Sequence, residues 1–231
     1  MSTVISIMDR DGWKNRTDVI VVADGVNKTL TWIPRDFWSE IVKNRINIAY
    51  ALGGHKLLIH SLNKLGLKVK RSLCVLPKAI SRAIADLTID VPVSEPMSFS
   101  YPIEPFGPTS EVDKPGARHI ITFSPPSEIL SNERIHQWIG ARFRVDGGGL
   151  NTDLERIERQ QILMKRLLEK RFNFGRCFCP DYVAFSKNFS FSDLKEMDAS
   201  WKLELFAKEQ LCCTKIRGLQ VLALKNCQPA L

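Results

Sequence analysis

The 231-residue chain is 44% hydrophobic and 25% charged, proportions that supply a core and exclude wholesale disorder. No apolar run reaches the roughly 18–20 residues needed to span a bilayer, and the N-terminus, with Asp9 and Asp11 early, does not read as a signal peptide. An intracellular, cytoplasmic location is therefore expected, with nuclear entry left open. Thirty-three Lys and Arg against 25 Asp and Glu give a formal charge of +8, which favours anionic partners.

In chain order, Asp18 to Ala23 is a β-branched run that reads as a buried strand. Asp24-Gly25 signals a turn, and Lys28 to Ile33 alternates as a second strand, so the two predict a hairpin. Pro34 and Asp36 predict the start of a helix with Phe37, Trp38, Ile41, Val42 and Ile48 or Ala49 on its apolar face, ended by Gly53-Gly54. Leu57, Leu58, Leu62 and Leu65 fit a second helical stripe stopped by Gly66. Leu67 to Leu76 alternates as a strand. Pro77 to Leu87 has helical spacing, and Thr88 to Val93 reads as a short strand.

Eight of the twelve prolines fall between residues 92 and 126. Proline removes a donor and fixes φ, so this stretch is expected to be irregular, apart from a strand over 97–103 at a sheet edge and another at Arg118 to Phe123. Ser131 is placed as the cap of a short helix through Trp138 and Ile139, and Gly147-Gly148-Gly149 as a hinge. The clearest helix begins at Asn151, Thr152 or Asp153. Its apolar side carries Leu154, Ile157, Ile162, Met164, Leu167, Leu168 and Phe172; acids lead, cations trail, and Gly175 stops it. Tyr182 to Phe185 predicts a strand, Ala199 to Glu209 a helix, and Leu211 to Lys225 a hairpin.

These elements predict an α+β fold with mixed sheet segments, about five helices and a long proline-rich loop in the middle. The organisation expected is an N-terminal α+β half at 1–92 with a basic segment, a proline-rich loop or linker at 93–117, and a C-terminal α+β half at 118–231 with the long amphipathic helix.

Ile41 to Ala85 holds no Asp or Glu but nine cations: Lys43, Arg45, Lys56, Lys64, Lys68, Lys70, Arg71, Lys78 and Arg82. A single-sign segment attracts polyanions better than mixed charge. Lys56, Lys64, Lys68, Lys70, Arg71, Lys78 and Arg82 are therefore assigned as nucleic-acid-binding residues.

No catalytic motif is complete. Gly-x-Ser-x-Gly is absent, the triple glycine lacks a P-loop ending, and His55, His60, His119 and His136 form no paired His-x-Ser/Thr motif. No catalytic residue, cofactor or metal is assigned. Cys177 and Cys179 with Cys212 and Cys213 have poor spacing for zinc, so Cys74, Cys227 and these four are read as free thiols. Lys165-Arg166, Lys170-Arg171 and Arg176, near Phe172, Phe174 and Phe178, read as a helix end beside core phenylalanines rather than a base-stacking platform.

Leu76-Pro77-Lys78-Ala79-Ile80, followed by Pro92, resembles the F-box-like pattern of the polerovirus silencing suppressors. The resemblance implies partner-binding roles for Leu76, Pro77, Ile80 and Pro92, as recruiters of a host ubiquitin-ligase adaptor. The leading expectation is a non-enzymatic accessory protein of viral type that binds RNA or another polyanion. The alternatives are a matrix-like protein that binds anionic membrane and self-associates, and an adaptor that engages a host protein.

Overall fold

The computed structural model describes residues 2–206 apart from 10, 11, 13, 104–117, 148–152, 178–179, 188 and 190–196. Strands β1 (Ser2–Met8), β2 (Thr17–Asp24), β3 (Thr29–Trp32), β6 (Val69–Val75), β12 (Val183–Phe185) and β13 (Lys202–Leu205) form a six-stranded mixed sheet in the order β12-β6-β1-β2-β3-β13. β1 runs parallel to β6, and β3 parallel to β13; the remaining pairs are antiparallel.

Side chains alternate across this sheet with the period-two rule of extended chain. Val4, Ile20, Val22 and Cys74 face one core with Leu58 and Leu62, which lie on α1 (Ala49–Lys64). Val21, Ala23, Leu73 and Val75 face a second core with Ile157 and Leu168, which lie on α4 (Asp153–Glu169). Helices thus cover both faces, and this accounts for the near-continuous apolar run of β2.

A third core joins two smaller sheets to the helices. One pairs β7 (Thr88–Pro92) with β10 (Ser127–Ser131); the other has β8 (Met97–Pro102) between β9 (Arg118–Phe123) and β11 (Phe143–Arg144). Phe99, Phe123, Leu130 and Trp138 are fully buried there beside Leu163 and Leu167 of α4. Phe123 meets Trp138 edge-on at 4.9 Å. Trp138 lies on α3 (Glu133–Gly140), so α4 contributes to two cores at once.

The fold is mixed α+β as expected, with four α-helices among the described residues once α2 (Pro77–Ala83) is counted. Three local expectations are corrected. No helix starts at Asp36: β4 (Trp38–Ser39) and β5 (Asn44–Arg45) pair as a short hairpin, where Lys43 adopts a φ of 52° that a helix cannot accept. Nor do Gly53-Gly54 end a helix, as placed for that element: α1 passes through them at a kink, with Gly54 at φ 59° and ψ −153°. Ala199 begins a turn that leads into β13 rather than a helix; Lys202 to Leu205 registers against Thr29 to Trp32.

β8 is the centre of its sheet, not an edge. Asn132 rather than Ser131 precedes α3, and α4 ends at Glu169, ahead of Gly175. Residues 104–117 of the proline-rich stretch and the hairpin at 211–225 lie outside the described residues. Among the described residues, no helix is long and apolar enough to cross a membrane.

Candidate functional site

Asp18 is the second residue of β2, at the end of the strand where Thr17 is buried and donates through Oγ1 to the Asn47 carbonyl at 3.2 Å. Three arginines from distant parts of the chain converge on it. Arg35 follows β3 across Pro34 and is braced by Asn47, whose backbone N–H donates to the Arg35 carbonyl at 3.2 Å. Arg142 lies between α3 and β11. Arg156 is in the first turn of α4, where the positive end of the helix dipole adds to the local field.

Arg35 Nη1 and Arg142 Nη2 share Asp18 Oδ1, each at 2.5 Å. Arg156 Nη1 donates to Oδ2 at 2.6 Å, and its Nη2 donates to the Asp18 carbonyl oxygen at 3.1 Å. The Arg156 side chain is 1% exposed, against 15% for Arg35 and 29% for Arg142. One guanidinium is therefore a buried anchor, and two reach toward solvent. Among the described residues, three guanidiniums meet this one carboxylate. Burial pushes the Asp18 carboxyl upward, but Arg156, Arg142 and Arg35 overcome it and hold the group at about 2. Asp18 is thus ionised throughout the neutral range.

Such a cluster suits a tetrahedral oxyanion. Planar guanidiniums donate in forks to phosphate or carboxylate oxygens, and a part-buried setting strengthens them relative to water.

The residues assigned from the sequence lie elsewhere. Lys56 and Lys64 are exposed on α1, Lys68 and Lys70 are exposed at and on β6, and Arg71 is half-buried. Lys78 and Arg82 are on α2, with Arg82 over the Tyr182 ring at 5.8 Å. None of the seven is among the guanidiniums at Asp18. Leu76 is buried and donates its N–H to the Tyr182 carbonyl at 2.9 Å. Pro77 opens α2, Ile80 packs against two cores, and Pro92 pairs with Ser127 in a strand. Leu76 is thus spent on the fold, Pro77 and Ile80 are partly buried, and Pro92 is exposed.

Cys74 is buried with Sγ 2.8 Å from Ser6 Oγ, and burial pushes its thiol up to about 12. Cys179, Cys212, Cys213 and Cys227 lie outside the described residues. Among the described residues no cluster of His, Cys, Asp and Glu is placed to hold a metal. Phe172 and Phe174 pack edge-on at 5.2 Å against the third core, as their reading as core phenylalanines expected.

Comparison with known proteins gives this architecture a family. Residues 4–186 match the LytR-CpsA-Psr family, and the chain belongs to it. Among particular relatives, it is 31% identical to the regulatory protein MsrR of Staphylococcus aureus over 172 residues, 71% of this chain and 46% of that protein. It therefore spans about half the length of the curated relatives it matches. Its fold is similar to that of TagT bound to LI-WTA (TM-score 0.58, 17% identity, 89% of this chain and 77% of that one). It is also similar to Bacillus subtilis TagU (TM-score 0.54, 18% identity, 90% and 83%). A third match is protein gbs0355 of Streptococcus agalactiae (TM-score 0.61, 15% identity, 89% and 76%).

Family membership overturns the functional expectations drawn from charge. The chain is of a bacterial cell-wall family, not a viral RNA-binding accessory protein, a matrix protein or a host adaptor. The expectation of a non-enzymatic protein is contradicted in part, because the family is one of phosphotransferases. The charge argument misled because it weighed the density of lysines and arginines along one acid-free segment. The arginines at Asp18 are single residues separated by 107 and 14 positions after Arg35, and no local count registers them.

Proposed function

We propose that the chain is a phosphotransferase that passes a phosphate-linked glycopolymer to peptidoglycan, with Asp18, Arg35, Arg142 and Arg156 as its phosphate-binding centre. The observation that carries the reading is the convergence of three guanidiniums on one carboxylate. The family supports it: its members transfer glycopolymers to peptidoglycan, and one protein of similar fold is described bound to LI-WTA.

In this transfer a peptidoglycan hydroxyl attacks the phosphorus that carries the glycopolymer, the bond from that phosphorus to its polyisoprenoid carrier breaks, and the carrier leaves. Charge spreads over the non-bridging oxygens, and the protein contributes mainly position and electrostatic stabilisation. Arg35 and Arg142, the two more exposed guanidiniums, contact the phosphate. Arg156 stays buried and fixes Asp18. The Asp18 carboxylate, held at about 2, is too weak a base to collect a proton near neutrality. Its work is to accept from all three arginines and hold them in register.

The test incubates the chain with a phosphate-linked glycopolymer donor and a peptidoglycan acceptor and follows covalent attachment. Arg35→Gln is expected to lower the rate roughly 10²- to 10³-fold, the usual loss for one electrostatic donor. Transfer by Arg35→Gln at the wild-type rate would falsify the assignment.

A further inference from the structure

The C-terminus of α3 and the start of β11 flank Arg142, and the backbone there is held by side chains of α4. A helix leaves its last four carbonyls without intrahelical partners. In α3 the Ala141 N–H closes onto the Gln137 carbonyl at 2.9 Å. Three further carbonyls are taken by two consecutive residues of α4. Arg159 donates through Nε to the Trp138 carbonyl at 3.0 Å and through Nη2 to the Ala141 carbonyl. Gln160 donates through Nε2 to the Ile139 carbonyl at 3.2 Å. The bond is returned: Trp138 Nε1 donates to the Arg159 carbonyl at 2.8 Å.

Arg159 is 4% exposed, and its guanidinium lies over the Phe99 ring at 4.5 Å. Desolvation pushes it down to about 10, still charged at neutral pH. A buried cation at a helix C-terminus is the favourable sense of the dipole. Ala141 is the residue immediately before Arg142, so the Arg159–Ala141 bond fixes the peptide from which Arg142 departs. Three residues earlier on the same helix, Arg156 grips Asp18. Positions i and i+3 share a helix face. One face of α4 therefore holds both the carboxylate and the backbone of a guanidinium that meets it.

We propose that Arg159, assisted by Gln160, is a positioning residue for the phosphate-binding centre: it sets the backbone from which Arg142 reaches Asp18 and the phosphate. The inference rests on the reading of that centre given above. Arg159 touches neither Asp18 nor phosphate. It acts through Arg142, and the two should therefore be energetically coupled.

The experiment is a double-mutant cycle on the full chain, with the affinity for inorganic phosphate as readout and amide hydrogen exchange alongside it. Arg159→Gln is expected to weaken phosphate binding roughly ten- to a hundredfold, as a displaced donor does. Adding Arg159→Gln to Arg142→Gln should then cost nothing further. Exchange should rise at residues 141–143 and stay unchanged in β1 and β2. Should Arg159→Gln fail to fold, Arg159→Lys takes its place, since it keeps the buried charge but lacks the planar fork that reaches the Trp138 and Ala141 carbonyls together. Additive losses, or unchanged exchange at 141–143, overturn the positioning role alone. Phosphate affinity that is the same in wild type and Arg142→Gln overturns the reading of the centre, and the positioning role with it.

Discussion

Arg156 grips Asp18 twice, through the side-chain oxygen at 2.6 Å and through the backbone carbonyl at 3.1 Å. The double contact ties α4 to the head of β2, across 138 residues of chain. It makes Arg156 part of the fold as well as of the site. Arg156→Met is expected to cost about 3 kcal/mol in urea unfolding, because a buried charge pair loses one partner. Arg45→Met, which breaks only the exposed pair with Asp36 at 2.9 Å, should cost less than about 1 kcal/mol. Equal costs for the two variants would contradict the anchor role.

The acid limb of stability should carry the signature of Asp18. Its carboxyl is held at about 2, below the ordinary 3.8. A depressed folded-state value stabilises the protein above the ordinary value, and this stability is lost as pH falls through the depressed one. The contribution is roughly 2 kcal/mol, present at pH 7 and lost between about pH 4 and pH 2. Wild type and Asp18→Asn, compared by urea unfolding, should converge as pH falls through that window. A difference independent of pH would remove the ion-pair explanation.

Much of the fold was legible because it rests on local pattern. The β-branched run of β2 and the alternation of Val69, Leu73 and Val75 need no distant information. Pro77 opening α2 and the stop at Gly66, which has a φ of 95°, are equally local signals. The hairpin at 38–45 was hidden because Trp38, Ile41 and Val42 also fit a helical stripe, and Lys43 gives no warning of its positive φ. The site was hidden for a different reason. Asp18 heads an apolar strand, and Arg35 follows Ile33-Pro34. Arg156 and Arg159 interrupt the apolar side of α4. Each has a bland reading alone, and only the tertiary fold brings them together. The one available signal was the placement of Arg156, Arg159 and Gln160 among apolar positions of a helix. Buried cations need a partner, so that placement asked for one.

Gly54 supplies a conformation that other residues do not adopt. At φ 59° and ψ −153° it lets α1 kink, and the next residue, His55, then places Nδ1 2.7 Å from Ser72 Oγ on β6. Gly54→Ala should destabilise by about 1–3 kcal/mol, the usual strain of a side chain in that region. Since nothing lies within 4 Å of a Cβ there, the loss is conformational rather than steric. A melting temperature equal to wild type would show that the kink is dispensable.

Trp138 offers a measure of the contact between α3 and α4 that leaves all arginines in place. Trp138→Phe keeps an aromatic ring against Phe123 but loses the indole donor to the Arg159 carbonyl. A loss of about 1 kcal/mol is expected for the missing hydrogen bond, plus a further term for the smaller ring. No change in stability would mean that this bond contributes nothing to docking the helices.

The most direct test of the central claim is chemical rescue of transfer at Arg142. Arg142→Ala removes the more exposed guanidinium from Asp18 Oδ1 and should lower glycopolymer transfer roughly 10²-fold or more. Added guanidinium ion, at concentrations that leave the chain folded, should restore part of the rate in this variant and none in wild type. Transfer by Arg142→Ala at the wild-type rate, with or without guanidinium, would contradict the assignment of the arginine cluster as the phosphate-binding centre.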